Sequence, residues 1–457
     1  MKNLFRFTRG KAKFYFDKIT DERIKQHLLQ ALPFWAASAI TGLIAVLYTR
    51  IFALAEHGAA YLFHISHWLI FLITPVCFLV SVWLVKQFAP YARGSGIPQV
   101  IASIELSNPR HNHLVSKLLS IRIIVIKIIS SSIMALGGGI TGREGPTIQI
   151  AGSVFRRINA ALPEWWPKIS KRNMVMTGAA AGLAAAFNTP LGGIVFAMEE
   201  LTKTHISFYK TAIFSAVIIA GLTAQSFLGP YLYLGYPDVK NLSVFVFLGV
   251  MLVGLLAGIV SSVFCKLILR LMRWKASIRS GWKTIVYVLA CSLVVAALIY
   301  FSGDEAMNSG KDLMSRVLFT SDKQVSWYMP IVRLLGSLIT FCSGAAGGVF
   351  APALSTGAGI GAVISGWMSL SASNTNLLIL AGMVAFLTGV TRSPFTSAIL
   401  VLEMTDGHHI IFFLMLSALI ANLVSHFIDK HSLYDHLKHQ YLKEISLEEK
   451  KAKQVIA

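Results

Sequence analysis

Three short segments of this 457-residue chain combine glycine and proline with groups that can do chemistry. Gly94-Ser95-Gly96-Ile97-Pro98 offers a hydroxyl, and Gly142-Arg143-Glu144-Gly145-Pro146 offers a carboxylate. Gly347-Gly348-Val349-Phe350-Ala351-Pro352 offers bare backbone amides. Glycine lets a backbone approach a ligand closely, and proline in a first helical turn removes an N–H that had no partner. Such segments suit a small anion. A helix N-terminus carries about half a positive charge plus free N–H donors, enough to hold a dehydrated ion and weak enough to release it. Each segment alone is equally a tight turn between helices. Three in one chain weigh against that reading.

The elements that would position them are apolar. The chain is 55% hydrophobic and 14% charged, where a soluble domain carries about 25% charged residues. Apolar runs recur at 32–54, 67–86, 118–136, 244–269, 285–301, 377–388 and 410–427. Several approach the roughly 20 residues that cross a hydrocarbon core of about 30 Å. The expected class is an all-α polytopic membrane protein. The glycine- and proline-rich breaks then mark interrupted helices, tolerated in a membrane only where protein buries them or a polar cavity lies beside them.

The net charge of +20 is explained by topology without nucleic acid. Lysine and arginine crowd residues 2–25, then Arg270, Arg273, Lys275 and Arg279, then Lys443, Lys450, Lys451 and Lys453. Under the positive-inside rule these segments, and so both termini, are cytoplasmic. The long basic start lacks the pattern of a cleavable signal peptide. Cys77, Cys265, Cys291 and Cys342 occur singly in or beside apolar runs, which predicts neither disulfides nor a metal site.

The sequence repeats itself. Gly178 leads to Pro190 and then Met198-Glu199-Glu200; Gly382 leads to Pro394 and then Leu402-Glu403-Met404. Proline follows glycine by 12 residues in both copies. Upstream, the segment ending at Pro146 answers the one ending at Pro352. Breaks at corresponding places in two halves point to a transport site. Glu199 matches Glu403 and reads as structural, whereas Glu200 faces a methionine and is unique to its half.

An ionisable group at membrane depth is a functional candidate, because its charge is costly there. Glu144 at a helix start is, on spacing alone, either a capping carboxylate or a group that competes with an anion for the helix tip. Glu200 is either such a functional group or a helix-end carboxylate facing cytoplasm.

The three segments, in this order and spacing, resemble the signature motifs of the CLC chloride channels and transporters, and the likeness extends through residues 178–200 and 382–406. The resemblance implies two inverted-topology repeats of tilted and broken helices, and a homodimer with one pathway per subunit. It implies that Ser95 coordinates chloride through its hydroxyl and that the amides of Val349 and Phe350 line the pathway. Glu144 becomes the gate, Glu200 the internal proton-transfer residue, and Tyr434 the group closing the site from within. Family members often carry a lysine where Lys127 stands, with an acidic partner after the first motif. Here Gln99 and Ile101 follow Pro98, so Lys127 is expected to give electrostatic support with no identified partner.

The expected layout is a basic cytoplasmic segment at 1–31, repeats at 32–230 and 231–428, and a C-terminal helix with a short charged tail at 429–457, leaving no room for a regulatory domain. The function expected is coupled chloride/proton antiport across the cell membrane, with no cofactor beyond the transported ions. A passive chloride channel of the same fold and a fluoride- or nitrate-selective exchanger are the alternatives. A serine protease using Ser95 with His64 or His67 lacks a recognisable catalytic pairing, so no enzyme is expected.

Overall fold

The computed structural model describes residues 21–456, apart from 203–209, 230–232, 241, 244, 279 and 406. The basic residues before position 21, Arg279, Asp406 and the start of the second repeat at 231–232 lie outside these. Among the described residues, seventeen helices have seven or more residues. The first eight are α1 (Glu22–Ile65), α2 (Ile70–Phe88), α3 (Ile97–Leu106), α4 (Ile121–Leu136), α5 (Glu144–Ala161), α6 (Lys171–Phe187), α7 (Pro190–Phe196) and α8 (Lys210–Leu228). The next eight are α9 (Val246–Ala276), α10 (Gly281–Ser302), α11 (Lys311–Phe319), α12 (Met329–Ser343), α13 (Phe350–Trp367), α14 (Ala372–Thr391), α15 (Pro394–Thr405) and α16 (Ile411–Ile428). The last, α17, spans Leu433–Ile456.

Local chemistry sets many of the boundaries. Ser120 and Ser170 accept from Ile123 N–H and Asn173 N–H, each at 3.3 Å, and so start α4 and α6. Helices α6 and α14 both end on a left-handed residue, Asn188 (φ 56°) and Arg392 (φ 65°). Thr189-Pro190 and Ser393-Pro394 follow at once and open α7 and α15. Helix α5 begins at Glu144 itself, which places this glutamate within the first helical turn.

Among the described residues, eight helices are long and apolar enough to cross a membrane. Leu54, Trp68 and Phe412 are each more than two thirds exposed, a surface suited to lipid rather than water. Helix α14 is the exception, being buried throughout. It packs along α13 as α6 packs along α5, and the alanine and glycine content of these helices permits the close approach.

One pair of contacts fixes how the halves are related. Glu199, on the π-helical turn Ala197–Thr202 that follows α7, accepts from Phe395 N–H (3.2 Å) and Thr396 N–H (2.7 Å) at the head of α15. Glu403, near the end of α15, accepts from Leu191 N–H (3.1 Å) and Gly192 N–H (2.9 Å) at the head of α7. The end of each segment therefore caps the beginning of the other, and the two run antiparallel. The repeats are inverted, and Glu199 and Glu403 hold them together as reciprocal caps. Replacing either by alanine should destabilise the fold by about 1–3 kcal/mol, the cost of leaving half-buried donors unpaired. Thermal unfolding in detergent will show a lower midpoint for each variant; unchanged midpoints would remove the structural role.

Candidate functional site

The three glycine-rich segments meet in the middle of the protein and exchange backbone hydrogen bonds. Gly94 N–H donates to Ala345 O at 2.8 Å, and Gly347 N–H donates to Gly94 O at 3.1 Å. Gly142 and Gly348 exchange a reciprocal pair, at 2.9 and 2.8 Å. These bonds satisfy irregular backbone at membrane depth without water, and they bring the heads of α3, α5 and α13 together. Gly96 turns the chain into α3 through φ 104°, which side-chain-bearing residues rarely adopt. A Cβ at Gly145 would collide with Ser95 Oγ, so the head of α5 comes this close only because residue 145 is glycine.

Ser95 is 2% exposed and Tyr434 fully buried. Neither hydroxyl has a hydrogen-bond partner within the protein. Two buried polar groups that remain unpaired are costly unless a ligand uses them. Val349, the residue before α13, and Phe350, its first residue, are both buried beside them. Phe350 packs on Phe187 with ring centres 5.9 Å apart. Glu144 is 1% exposed, and its carboxylate lies against its own amide and that of Ala351 at the head of α13. It occupies ground where helix-tip charge would favour any anion.

Glu200 sits apart from this cluster, on the π-helical turn after α7. It is 5% exposed and accepts from Ser393 Oγ at 2.8 Å. Burial excludes the reading of a helix-end carboxylate in open solvent, and Tyr434 is within its electrostatic reach.

Lys127 has its answer in the backbone. Fully buried, its ammonium donates to Ala92 O (2.9 Å) and Gly94 O (2.7 Å). Gln99, where an acidic residue was looked for, donates to Arg93 O at 2.7 Å and to the Tyr441 hydroxyl at 3.1 Å. Gln149 adds a bond to Tyr91 O at 3.1 Å. The carbonyls of residues 91–94 are thus drawn back toward donors, which fixes the loop that carries Ser95.

The chain closes on α17, which carries many charges yet packs against the loop that bears Ser95. Helix α17 buries Tyr434, Leu437, Tyr441 and Ile445 on one face; their helical spacing was the available signal. Glu444 pairs with Arg93, and Glu448 accepts from Tyr91 and Lys117, both at 2.8 Å. Burial opposes ionisation of Glu448, but the bonds from Lys117 and Tyr91 outweigh it and hold its carboxyl below the usual range.

A cavity of about 250 Å³ reaches the loop from the α17 side, between Arg93, Gly94, Lys275 and Tyr441. Another, of about 380 Å³, reaches Glu144 away from α17 and is lined in part by Arg143, Glu56 and Ser309. Among the described residues no cluster of His, Cys, Asp or Glu is placed to hold a metal ion.

Inverted repeats, interrupted helices and a buried anion-suited junction define a membrane transport protein for small anions. The chain belongs to the CLC family: residues 77–426 match the family model described as voltage gated chloride channel. It is 30% identical over 390 residues to an H(+)/Cl(-) exchange transporter ClcA of Cronobacter sakazakii, covering 82% of this chain and 81% of that protein. A second relative of the same name, from Citrobacter koseri, is 29% identical over 436 residues, 90% of this chain and 89% of its own. The fold also resembles a slow cyanobacterial Cl-/H+ antiporter (TM-score 0.78, 24% identity, 91% of this chain and 98% of that one). A CLC-type fluoride/proton antiporter gives a TM-score of 0.75 at 21% identity, with the same coverage.

Lys127→Met leaves two buried carbonyls without their charged donor, a loss of about 1.5–3 kcal/mol. Chloride binding measured by calorimetry should weaken about tenfold as the Ser95 loop loosens. Affinity unchanged from the parent protein would show that Lys127 does not hold the loop.

Proposed function

We propose that this protein exchanges chloride for protons across a cell membrane. The observation that carries the reading is the position of the Glu144 carboxylate, seated at the heads of α5 and α13 beside the Ser95 junction. Ionised, it competes with chloride for helix-tip charge; protonated, it is neutral and leaves the ground to the halide. Chloride binds between the unpaired hydroxyls of Ser95 and Tyr434, with the amides of Val349 and Phe350 completing its shell. Lys127 acts through the loop backbone without touching the ion. No cofactor enters this scheme; only chloride and protons are carried.

Protons reach Glu144 from Glu200. Phe187 and Phe350, packed together beside the junction, cannot carry a proton, so water makes the link. The buried Glu200 supports exchange over passive conduction, since a channel has no use for a second buried acid. Chloride is favoured over fluoride or nitrate by the likeness of the Ser95 segment to the family's chloride site, and by the names of the curated relatives.

The α17 side is read as cytoplasmic. Arg270, Arg273 and Lys443 line a cavity of about 840 Å³ there, together with Lys266 and His436, in keeping with the positive-inside rule. The repeats are assigned to 32–230 and 231–428, with residues 1–31 and 429–457 cytoplasmic. Each chain contains a whole passage, so a homodimer with one pathway per subunit, as the family resemblance implies, needs no shared site.

Chloride and proton fluxes measured together in liposomes should run in opposite directions at a fixed ratio; a reversal potential set by chloride alone would replace exchange by conduction. Glu144→Gln should abolish proton flux while chloride still moves. Glu200→Gln should also remove proton flux, and undiminished proton pumping in that variant would end its assignment.

A further inference from the structure

The inverted repeat gives the Ser95 loop a counterpart on the other side of the protein. Seventeen residues separate Lys127 from Glu144, and seventeen separate Arg333 from Phe350. Arg333 is therefore the repeat partner of Lys127, and it too is fully buried. Lys127 donates to the carbonyl just before Ser95. Arg333 donates to Asn308 O, just before Ser309, at 3.1 Å, and also to Glu305 O and Met307 O at 2.8 and 3.1 Å.

The two loops share their backbone form. Ser95 lies between Gly94 (φ 64°) and Gly96 (φ 104°); Ser309 lies between Asn308 (φ 55°) and Gly310 (φ 80°). In each case the glycine after the serine opens a helix, α3 or α11. What differs is the occupant. Ser95 Oγ has no partner in the protein, whereas Ser309 donates both its N–H (3.1 Å) and its hydroxyl (2.7 Å) to one carboxylate oxygen of Glu56. A carboxylate from α1 thus sits against Ser309 where the repeat would place an anion. Asn308 is 8% exposed, and its side-chain oxygen has no partner. Its amide nitrogen donates to Glu56 O at a long 3.5 Å, so a half-turn presents N–H donors instead at the loss of one weak bond.

This second cradle opens into the cavity of about 380 Å³ that also reaches Arg143 and Glu144. Lys311 lines it as well. With Glu56 withdrawn, the cradle keeps a serine hydroxyl, a backbone amide and nearby cations.

We propose that the head of α11 is a second halide site, at the mouth of the passage away from α17, and that Glu56 competes with the halide for it. A halide passing Glu144 is received there before it meets solution, and Glu56 sets how long it stays. The site would serve a conducting pore as well as an exchanger, so the proposal stands apart from coupling.

Anomalous diffraction from crystals of the full chain grown in bromide tests it. Glu56→Ala should show two bromide peaks, one by Ser95 and one within about 3.5 Å of Ser309 Oγ. Adding Ser309→Ala should erase the second and keep the first. A Glu56→Ala crystal with bromide at Ser95 alone overturns the proposal, as does a peak that persists without the Ser309 hydroxyl. The peak at Ser95 reports that the variant is folded. Glu56→Gln, of the same shape, gives an independent reading in liposomes. Its half-saturating halide concentration on this side should fall about tenfold, as when a competing occupant that holds a site most of the time is removed. An unchanged value counts against competition.

Discussion

The arrangement depends on irregular backbone being made safe inside a helical protein. The segments around Gly94, Gly142 and Gly347 could not each satisfy their amides and carbonyls in lipid. By bonding to one another, and to donors from behind, they become a rigid junction where three helix heads converge. The positive ends of those helices are thereby concentrated at Ser95 and Glu144, ground where partial charges favour an anion. An ion held by a full cationic partner would be slow to leave; one held by helix tips and hydroxyls binds and departs.

The buried cations serve this junction indirectly. Lys127 donates to carbonyl oxygens, and Arg333 to three carbonyl oxygens and the Ser355 hydroxyl, so both hold loops. A positive charge at that depth still raises the local potential, but the carbonyl dipoles around it temper the field. Gln99 and Gln149 extend the same bracing with neutral donors. Helix α17 then closes the junction from one side, tied down by Tyr441 against Gln99 and by Glu444 against Arg93. The hydroxyl of Tyr434 is consequently placed by a whole helix rather than by its own short connection.

Much of this was legible in the chain. The three glycine-proline segments, the twelve-residue echo in the two halves and the odd glutamate at position 200 are local patterns. Local patterns survive in sequence because the backbone needs those residue types wherever the rest of the chain goes. The partner of Lys127 was not legible, because it is a pair of carbonyls, and every residue carries one. Arg333 stood seventeen residues before Phe350, yet arginine in place of lysine hid the equivalence. Glu56 was hidden more deeply: it lies over 250 residues from Ser309, and nothing in its neighbourhood announces a distant serine. The packing of α17 was concealed by the many charges among its buried positions.

The exchange of Glu199 and Glu403 between halves has a bearing on how such a chain could have arisen. Each contact is the image of the other, which is the form taken by an interface between identical subunits related by a two-fold axis. A chain of half the length, inserted in the bilayer in both orientations, could dock one copy on another through the same glutamate. Duplication and fusion would then convert an association between molecules into one within a single polypeptide, after which residues such as Glu200 and Met404 were free to diverge.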